Sequence, residues 1–307
     1  MSSDEVRHRT LRRVAGGVYA LGLRRPIRQI VRPAIHQPWL SLRNRQRLFN
    51  FFGEDVAVGE TTAVIRLPGG GKVRATLDLS DEFCRTWYYW GYERYEPAVA
   101  RLIAGLARTK RVILEAGANI GYYTLLMASC QPPGSELHAF EPRPDVFARL
   151  SANVALNALP HVRLNRMAVS DVDGTAQLHL PDSGNREMAS LDPGFVPSTR
   201  SVEVRTTRLD SYWQSEPRTG TPELIKLDVE GVEVRALRGL GALLKDRWPD
   251  IVCEVLPGYE PELTAFLRET PYRRYLITEE GLVPRETLTG SHQVRDYLFT
   301  TERQRES

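Results

Sequence analysis

Short apolar segments and amphipathic stretches alternate along most of this chain. The apolar segments predict buried strands at 111–116, 135–140, 161–168, 223–228 and 250–255. Helical periodicity between and after them predicts helices near 120–130, 144–157, 232–245 and 260–269. Strands that alternate with helices are typical of a parallel sheet. Two further segments, 275–278 and 294–300, predict a terminal antiparallel pair. The pattern therefore predicts an α/β fold with a mostly parallel, seven-stranded sheet.

The segments before this sheet predict a smaller region. Alternating residues at 62–67 and 72–77 flank Pro-Gly-Gly-Gly and indicate a β-hairpin. We divide the chain into an N-terminal helical arm (1–52), a hairpin region (53–86) and the main domain (87–307). Aromatic residues are concentrated at 87–95, where they either line a pocket or join the small region to the main core. A polar excursion with strand-like segments at 174–180 and 201–210 interrupts the main domain.

Positive charge is concentrated in the arm. Residues 1–50 contain 11 Arg and two acidic residues, whereas the remaining 257 residues carry a net charge of −6. An enzyme that acts on nucleic acid more often has its basic surface on the catalytic body, so we expect no nucleic-acid partner. The arm either contacts an anionic membrane surface or an acidic partner, or packs on the domain with its arginines solvated.

The cysteines and the apolar runs indicate the compartment. Cys84, Cys130 and Cys253 are widely spaced and odd in number, which favours a reducing environment. No apolar run is long enough to form a transmembrane segment, and the Arg-rich N-terminus lacks the apolar core of a secretory signal. We therefore expect a cytoplasmic protein.

Candidate chemistry begins at the first strand of the main domain. Glu115 ends this strand and is followed by the turn Gly117-Ala-Asn-Ile-Gly121 and a helix, and Glu141 ends the next strand. A glycine turn lets a ligand approach the backbone, and an acid at the second strand suits a ribose diol. Asn119 stands where a dinucleotide site would have a second glycine, and two acids would repel a diphosphate. A cofactor with a cationic amino-acid end and no phosphate fits better, which points to S-adenosyl-L-methionine.

Further acids follow later strands. Asp228 and Glu230 flank Val229 after the fourth strand, and Glu254 ends the fifth. One acid would be explained as a cap of the helix near Val232, but two before Gly231 exceed that need. Because ligands bind at the carboxyl ends of parallel strands, we expect these acids to face a cleft. They could also hold Mg²⁺, and the sequence leaves metal dependence open.

Several ordered motifs carry a resemblance to a known family. These are Glu-Ala-Gly-Ala-Asn-Ile-Gly-Tyr-Tyr (115–123), His-Ala-Phe-Glu-Pro (138–142), Asn-Val-Ala-Leu-Asn (153–157), Ala-Val-Ser-Asp (168–171) and Ile-Lys-Leu-Asp-Val-Glu-Gly-Val-Glu (225–233). Together with Gly91–Pro97 they closely resemble the FkbM-type methyltransferases. The resemblance implies a class I, Rossmann-like fold that uses S-adenosylmethionine, most often to methylate a hydroxyl of a small metabolite, natural product or sugar. One departure is Glu115, where the family more often has Asp.

The predicted site follows from these motifs. Cofactor-binding residues are predicted at Glu96, Glu115, Gly117, Asn119, Gly121, Tyr122, Glu141, Ser170, Asp171 and Asp228. Because an alcohol must lose its proton, a carboxylate should act as base; we rank Glu230 first, Asp228 second and Glu254 third, with His292 as an outside candidate. Asp228 is alternatively a ligand of the methionine ammonium. A nicotinamide-dependent oxidoreductase and a catalytically silent cofactor-binding module are the rival functions.

Overall fold

A computed structural model describes residues 59–182, 188–195, 197–215, 220–291 and 295–301, apart from the side chains of 245–247. The predicted N-terminal arm and His292 lie outside the described residues. Among those that are described, one compact unit comprises 59–67 and 74–96, and a second comprises 68–73 and 97–301. No described helix has the length and apolar character needed to cross a bilayer.

The predicted hairpin is present. Its strands are β1 (Glu60–Arg66) and β2 (Lys72–Asp78), which form a two-stranded sheet. Helix α1 (Glu82–Trp90) follows, and the predicted domain boundary at 86/87 falls inside it. Asp81 caps α1, since its side chain accepts a hydrogen bond from the backbone N–H of Cys84 at 2.9 Å. A 3₁₀ turn, Gly91–Glu93, comes next. Trp87 and Tyr89 are fully buried, so these aromatic side chains belong to a packed core.

The second unit contains the predicted α/β domain. Its first elements, in chain order, are α2 (Pro97–Ala107), β3 (Val112–Ala116), α3 (Tyr122–Cys130), β4 (Glu136–Phe140), α4 (Pro144–Ala155) and β5 (Val162–Asn165). The excursion comprises β6 (Ala168–Val169), β7 (Gly174–Leu180), β8 (Arg200–Thr207) and α5 (Leu209–Gln214). The remaining elements are β9 (Leu224–Leu227), α6 (Glu233–Arg238), α7 (Ala242–Arg247), β10 (Asp250–Glu254), α8 (Glu260–Arg268), β11 (Arg273–Thr278), β12 (Gly281–Pro284) and β13 (Asp296–Thr300).

The large sheet has eight strands in the order β12-β11-β13-β10-β9-β3-β4-β5. Strands β10, β9, β3, β4 and β5 pair in parallel, and β13 pairs antiparallel with both β10 and β11. This order confirms the class I, Rossmann-like α/β fold and the terminal antiparallel pair. The predicted count of seven strands is wrong, because β12 adds an eighth. Its Pro284 is tolerated because an edge strand has a neighbour on one side only.

Two predicted elements are divided in the structure. The predicted strand 161–168 ends at Asn165, and Ala168–Val169 pairs instead with β8 in a separate three-stranded sheet, β6-β8-β7. The predicted helix 232–245 is two helices, α6 and α7, separated at Gly239–Gly241. Gly241 adopts a left-handed φ of 46°, and a Cβ atom there would lie 1.9 Å from Asp210 Oδ2. The helical pattern therefore stops where the chain must turn closely past α5.

Candidate active site

Four adjacent strands deliver their carboxyl ends to one edge of the sheet. The register aligns Phe140, Ala116, Leu227 and Cys253 in a row across β4, β3, β9 and β10. The residues that follow this row are Glu141, Gly117, Asp228 and Glu254. Parallel pairing thus brings together residues from four separate motifs, as expected for a ligand site in an open α/β sheet.

The turn after β3 is built from left-handed residues. Gly117, Asn119 and Gly121 have φ values of 82°, 48° and 101°. The backbone N–H groups of Gly117 and Ala118 both donate to the carbonyl oxygen of Phe140, at 3.0 and 2.9 Å. A Cβ atom on Gly117 would lie 1.7 Å from the backbone carbonyl oxygen of Asp228. The structure thus gives Gly117 a packing reason, and its predicted role in admitting a cofactor stays a prediction.

Glu141 is fixed by two backbone amides. Its Oε2 accepts a hydrogen bond from Asn119 N–H at 3.1 Å, and its Oε1 accepts one from Arg143 N–H at 2.9 Å. Burial raises the pKa of this carboxyl to about 7, although both hydrogen bonds oppose the shift. The side chain is therefore oriented before any ligand arrives, and its oxygens keep further lone pairs for hydroxyl donors.

Glu115 is more deeply buried than Glu141. Its Oε2 accepts a hydrogen bond from the Thr124 hydroxyl, in the first turn of α3, at 2.6 Å. Burial raises the pKa of Glu115 to about 8. Tyr122 begins α3 and is also buried, with its ring in edge-to-face contact with that of Tyr123 at 4.8 Å. These contacts hold the N-terminus of α3 against the end of β3.

The three predicted catalytic acids lie together. Each of Asp228, Glu230 and Glu254 offers a carboxylate oxygen, and these oxygens all lie within 4.8 Å of one another. Such an arrangement can hold a cationic group, or can pass a proton between its members. Lys226 Nζ donates to Asp228 Oδ2 at 2.8 Å and lies 4.6 Å from the ring centre of Tyr123. Lys226 therefore ties the carboxylate of Asp228 to the end of β9.

The pKa of Glu254 is strongly shifted by its surroundings. Burial raises its pKa to about 10, and the charges of Asp228 and Glu230 add to the shift. Arg295 Nε donates to Glu254 Oε1 at 2.6 Å and opposes the shift without cancelling it. Glu254 is therefore neutral near pH 7, which makes it a hydrogen-bond donor in the trio and a poor base.

A strained turn presents Glu230. Its φ is 55° and that of Gly231 is 91°. The buried carboxylate of Glu233 accepts hydrogen bonds from Val229 N–H at 3.4 Å and Gly231 N–H at 3.2 Å. The Ser190 hydroxyl donates to the carbonyl oxygen of Glu230 at 2.5 Å. These three contacts hold a non-glycine residue in the left-handed region, which is uncommon except where the surroundings enforce it.

A cleft of about 310 Å³ opens beside this turn. Its walls come from the 191–193 loop, α6, the end of β10 and the start of α8, and they include Gly231 and Glu254. Tyr259 donates its hydroxyl to Asp192 Oδ2 at 2.7 Å. Through Glu254 the cleft borders the acid trio, and its volume provides space for a second molecule.

The other predicted residues lie elsewhere. Asp171 lines the cleft and accepts a hydrogen bond from Arg235 Nε at 3.1 Å, while Ser170 is buried and donates to Asp171. Both follow β6, which belongs to the small sheet and not to the large one. Glu96 is the last residue of the first unit and has a φ of 44°. The cofactor-binding roles of these three residues stay predictions.

Sequence reasoning did not select four residues that shape the site. Lys226 and Glu233 stand inside the quoted 225–233 motif, so their position in that motif was an available signal. Tyr259 and Asp192 come from loops that are distant along the chain and gave no periodic or spacing signal. Only the tertiary structure brings Tyr259 and Asp192 together.

Comparisons with known proteins agree with this geometry. The sequence profile of the methyltransferase FkbM domain matches residues 115–275, which is more than half of the chain. Methyltransferase 1 of Beauveria bassiana is 30% identical over 160 residues, a match that covers 47% of this chain and 64% of that protein. This chain thus spans slightly less than two thirds of that relative.

Two further relatives are matched over more of their length. The 31-O-demethyl-FK506 methyltransferase FkbM of Streptomyces tacrolimicus is 31% identical over 191 residues, covering 51% of this chain and 70% of that protein. The hexuronic acid methyltransferase AglP of Haloferax volcanii is 27% identical over 214 residues, covering 68% of this chain and 83% of that protein. The motifs, the strand order and these matches lead to one conclusion: the chain belongs to the FkbM methyltransferase family.

Proposed function

We propose that this protein is an S-adenosylmethionine-dependent methyltransferase that methylates a hydroxyl oxygen of a small molecule or sugar. The observation that carries the proposal is the row Glu141, Gly117, Asp228 and Glu254 at one sheet edge, within a chain of the FkbM family. Ligands of open α/β sheets bind at this edge, and acids are the predominant charged groups there.

The chemistry of the site fits this cofactor. Glu141 is held by two amides with acceptor capacity remaining, which suits the two hydroxyls of a ribose. The acidic residue Asp228 follows β9 beside the turn after β3, which suits a methionine ammonium and disfavours a diphosphate. Glu115 adds little charge near pH 7, because burial raises its pKa to about 8. S-adenosylmethionine would supply a methyl group that is already activated by its sulfonium.

The protein's own contribution is to position the acceptor and to take its proton. Glu230 is the proposed base, because Glu254 is neutral near pH 7 and Asp228 is bound to Lys226. Neutral Glu254 can donate a hydrogen bond to a neighbouring carboxylate of the trio, whose oxygens lie within 4.8 Å of one another. The turn fixed by Glu233 and Ser190 keeps that geometry from relaxing.

The acceptor class draws support from the names of two relatives. One is named for a demethylated form of FK506 and the other for a hexuronic acid. The first name indicates a methylated oxygen of a small molecule, and the second indicates a sugar acid without stating the methylated atom. The cleft beside the acid trio has a volume of about 310 Å³, which is within the range of small-molecule sites.

Calorimetry and isotope transfer test the proposal. S-adenosylhomocysteine should bind the full-length protein, whereas NAD and NADP should not. Incubation with methyl-labelled S-adenosylmethionine and a library of sugars and natural products should yield a labelled ether. NAD binding in place of S-adenosylhomocysteine binding would favour an oxidoreductase. Binding without transfer to any member of the library would favour a silent cofactor-binding module.

A further inference from the structure

The cleft beside the acid trio has an unusual charge composition. It is lined by five acidic side chains, Asp171, Asp192, Glu233, Glu254 and Glu262, and by two basic ones, Arg235 and Arg238. Acids therefore outnumber arginines on the walls of a concave site. In a cleft with low-dielectric walls, such an imbalance acts strongly on any charged molecule that enters.

Both arginines are already engaged by acids of the same cleft. Arg235 Nε lies 3.1 Å from Asp171 Oδ1, and Arg238 lies 3.2 Å from Glu262 Oε1. Each guanidinium has further N–H donors, but its positive charge is already offset by the carboxylate beside it. The arginines therefore offer an anionic acceptor less attraction than their presence in the cleft suggests.

The remaining acids have different protonation states. Hydrogen bonds from the backbone of Gly194 and from the Tyr259 hydroxyl lower the pKa of Asp192, so this carboxylate is charged. Burial raises the pKa of Glu233 and of Glu254. Even with both of these groups neutral, three carboxylates face two guanidiniums on the walls. Next to Glu254, the cations Arg295 and Lys226 are matched in number by the acids Asp228 and Glu230, so they do not change this balance. The cleft keeps a net negative charge in either protonation state.

The polar atoms of the walls suit hydrogen-bond donors. Carboxylates only accept hydrogen bonds when ionised, so they pair with hydroxyl and ammonium groups and reject carboxylates and phosphates. Leu191, Val232 and Leu256 supply apolar surface between the charged groups. This combination of many acceptors with a few apolar patches is appropriate for a molecule that carries several hydroxyls.

From these observations we infer that the cleft binds the methyl acceptor and selects a hydroxyl-rich molecule that is neutral or carries an ammonium group. A uronic acid or a sugar phosphate would be excluded by charge. The inference rests on the proposed function, because it assigns the substrate class of the same site. It adds a charge rule, namely that the cleft disfavours an anionic acceptor, which the proposed function does not include.

Three sugars of similar size test the rule. The full-length protein is first shown to bind S-adenosylhomocysteine, and the sugars are then titrated into that complex. D-glucosamine and methyl α-D-glucopyranoside should bind, and D-glucuronic acid should bind at least about tenfold more weakly, since a unit charge near a protein surface changes affinity by this order. The inference is overturned if D-glucuronic acid binds as tightly as the other two sugars or more tightly. It is also overturned if no sugar binds at ~50 mM, a concentration at which a millimolar dissociation constant is detected.

One exposed ion pair allows the site to be located. Glu262→Gln adds one positive charge to the cleft and releases Arg238, so discrimination against D-glucuronic acid should shrink several-fold. Arg238→Gln removes one positive charge, so the discrimination should grow. The pair Arg101 and Glu279 is also exposed and lies outside the cleft, so Arg101→Gln and Glu279→Gln should change nothing.

The outcomes separate this inference from the proposed function. If the Glu262 and Arg238 variants do not shift the discrimination against D-glucuronic acid in opposite directions, the sugar binds elsewhere and the inference is overturned. The same conclusion follows if the Arg101 and Glu279 variants shift this discrimination as much as the cleft variants do. Failure of the parent protein to bind S-adenosylhomocysteine would instead count against the proposed function. Binding of S-adenosylhomocysteine with a preference for glucuronic acid would leave the proposed function intact and reject only the charge rule.

Discussion

A Cβ atom on Gly117 would lie 1.7 Å from the backbone carbonyl oxygen of Asp228, so the turn after β3 and the turn after β9 are packed directly on one another. Gly117 also has a φ of 82°, which L side chains rarely adopt. The glycine turn of the predicted cofactor site and the acid of the predicted catalytic site therefore cannot move independently.

This contact predicts that Gly117→Ala is destabilising. The substitution combines a left-handed alanine with a backbone clash, and we expect a loss of at least ~2 kcal/mol in the free energy of unfolding. Gly105→Ala is the matched control, because Gly105 lies in α2 and a Cβ atom there meets nothing within 4 Å. That change should stabilise the protein by about 0.5–1 kcal/mol. Urea unfolding measures both, and a Gly117→Ala variant as stable as the parent would contradict the packing argument.

Glu141 should contribute to cofactor affinity. Its carboxylate is oriented by Asn119 and Arg143, and hydrogen bonds to a charged group contribute about 1.5–3 kcal/mol. Glu141→Ala should therefore weaken S-adenosylhomocysteine binding roughly tenfold to a hundredfold. Glu203→Ala, on the exposed face of β8, is the control and should bind normally. Unchanged affinity of the Glu141 variant in calorimetry would remove this residue from the site.

The sequence was sufficient for the order of strands and for the acids at their ends. Hydrophobic periodicity and apolar runs in the sequence indicate which residues are buried. Because β3, β4, β9 and β10 pair in parallel, their carboxyl ends must then lie at one edge of the sheet. Sequence pattern failed where a close approach decides the chain path. The break at Gly241 depends on Asp210, and helical periodicity contains no information about that neighbour.

The contact between Asp192 and Tyr259 at the cleft could not be predicted from the sequence, for a similar reason. Asp192 lies between β7 and β8 in the sequence, and Tyr259 precedes α8. Their hydrogen bond joins residues 67 positions apart. No local propensity specifies a contact of this kind, because it is set by how the small sheet folds back over the large one.

Glu115 should make the stability of the protein depend on pH. Its pKa is raised by burial from an ordinary value near 4.5 to about 8, so the folded state binds a proton that the unfolded state has released. The stability that this group confers is complete below pH 4.5 and is lost as the pH rises to about 8. The thermal midpoint of the parent should therefore fall across this window.

A variant isolates the contribution of Glu115. Glu115→Gln cannot ionise but can still accept the Thr124 hydroxyl, so its thermal midpoint should fall less between pH 5 and pH 8 than that of the parent. Glu203→Gln, which changes an exposed acid, should follow the parent curve. Parallel curves for the parent and the Glu115 variant would show that Glu115 is not the group that titrates.

Glu230 and Glu254 provide the sharpest test of the chemistry, because they share one cluster but differ in predicted charge. Glu254 is neutral near pH 7, so Glu254→Gln replaces one neutral hydrogen-bonding group with another. Glu230 is the proposed base, and a carboxylate base contributes on the order of 10²–10⁴ in rate. Glu230→Gln keeps the size of the side chain but cannot take a proton. Methyl transfer to the acceptor identified by isotope labelling should therefore fall much further in the Glu230 variant than in the Glu254 variant.

The affinity of each variant for S-adenosylhomocysteine shows whether Glu230 acts as a base or as a ligand of the cofactor. Both Gln variants should bind S-adenosylhomocysteine as the parent does, because neither substitution alters the hydrogen bonds by which Glu233 and Ser190 hold the turn that carries Glu230. If Glu230→Gln lost this binding, the residue would be a ligand of the methionine end. Near-parental turnover of Glu230→Gln together with a large loss in Glu254→Gln would transfer the role of base to Glu254. That result would also require Glu254 to be ionised in the complex, with Arg295 outweighing its burial.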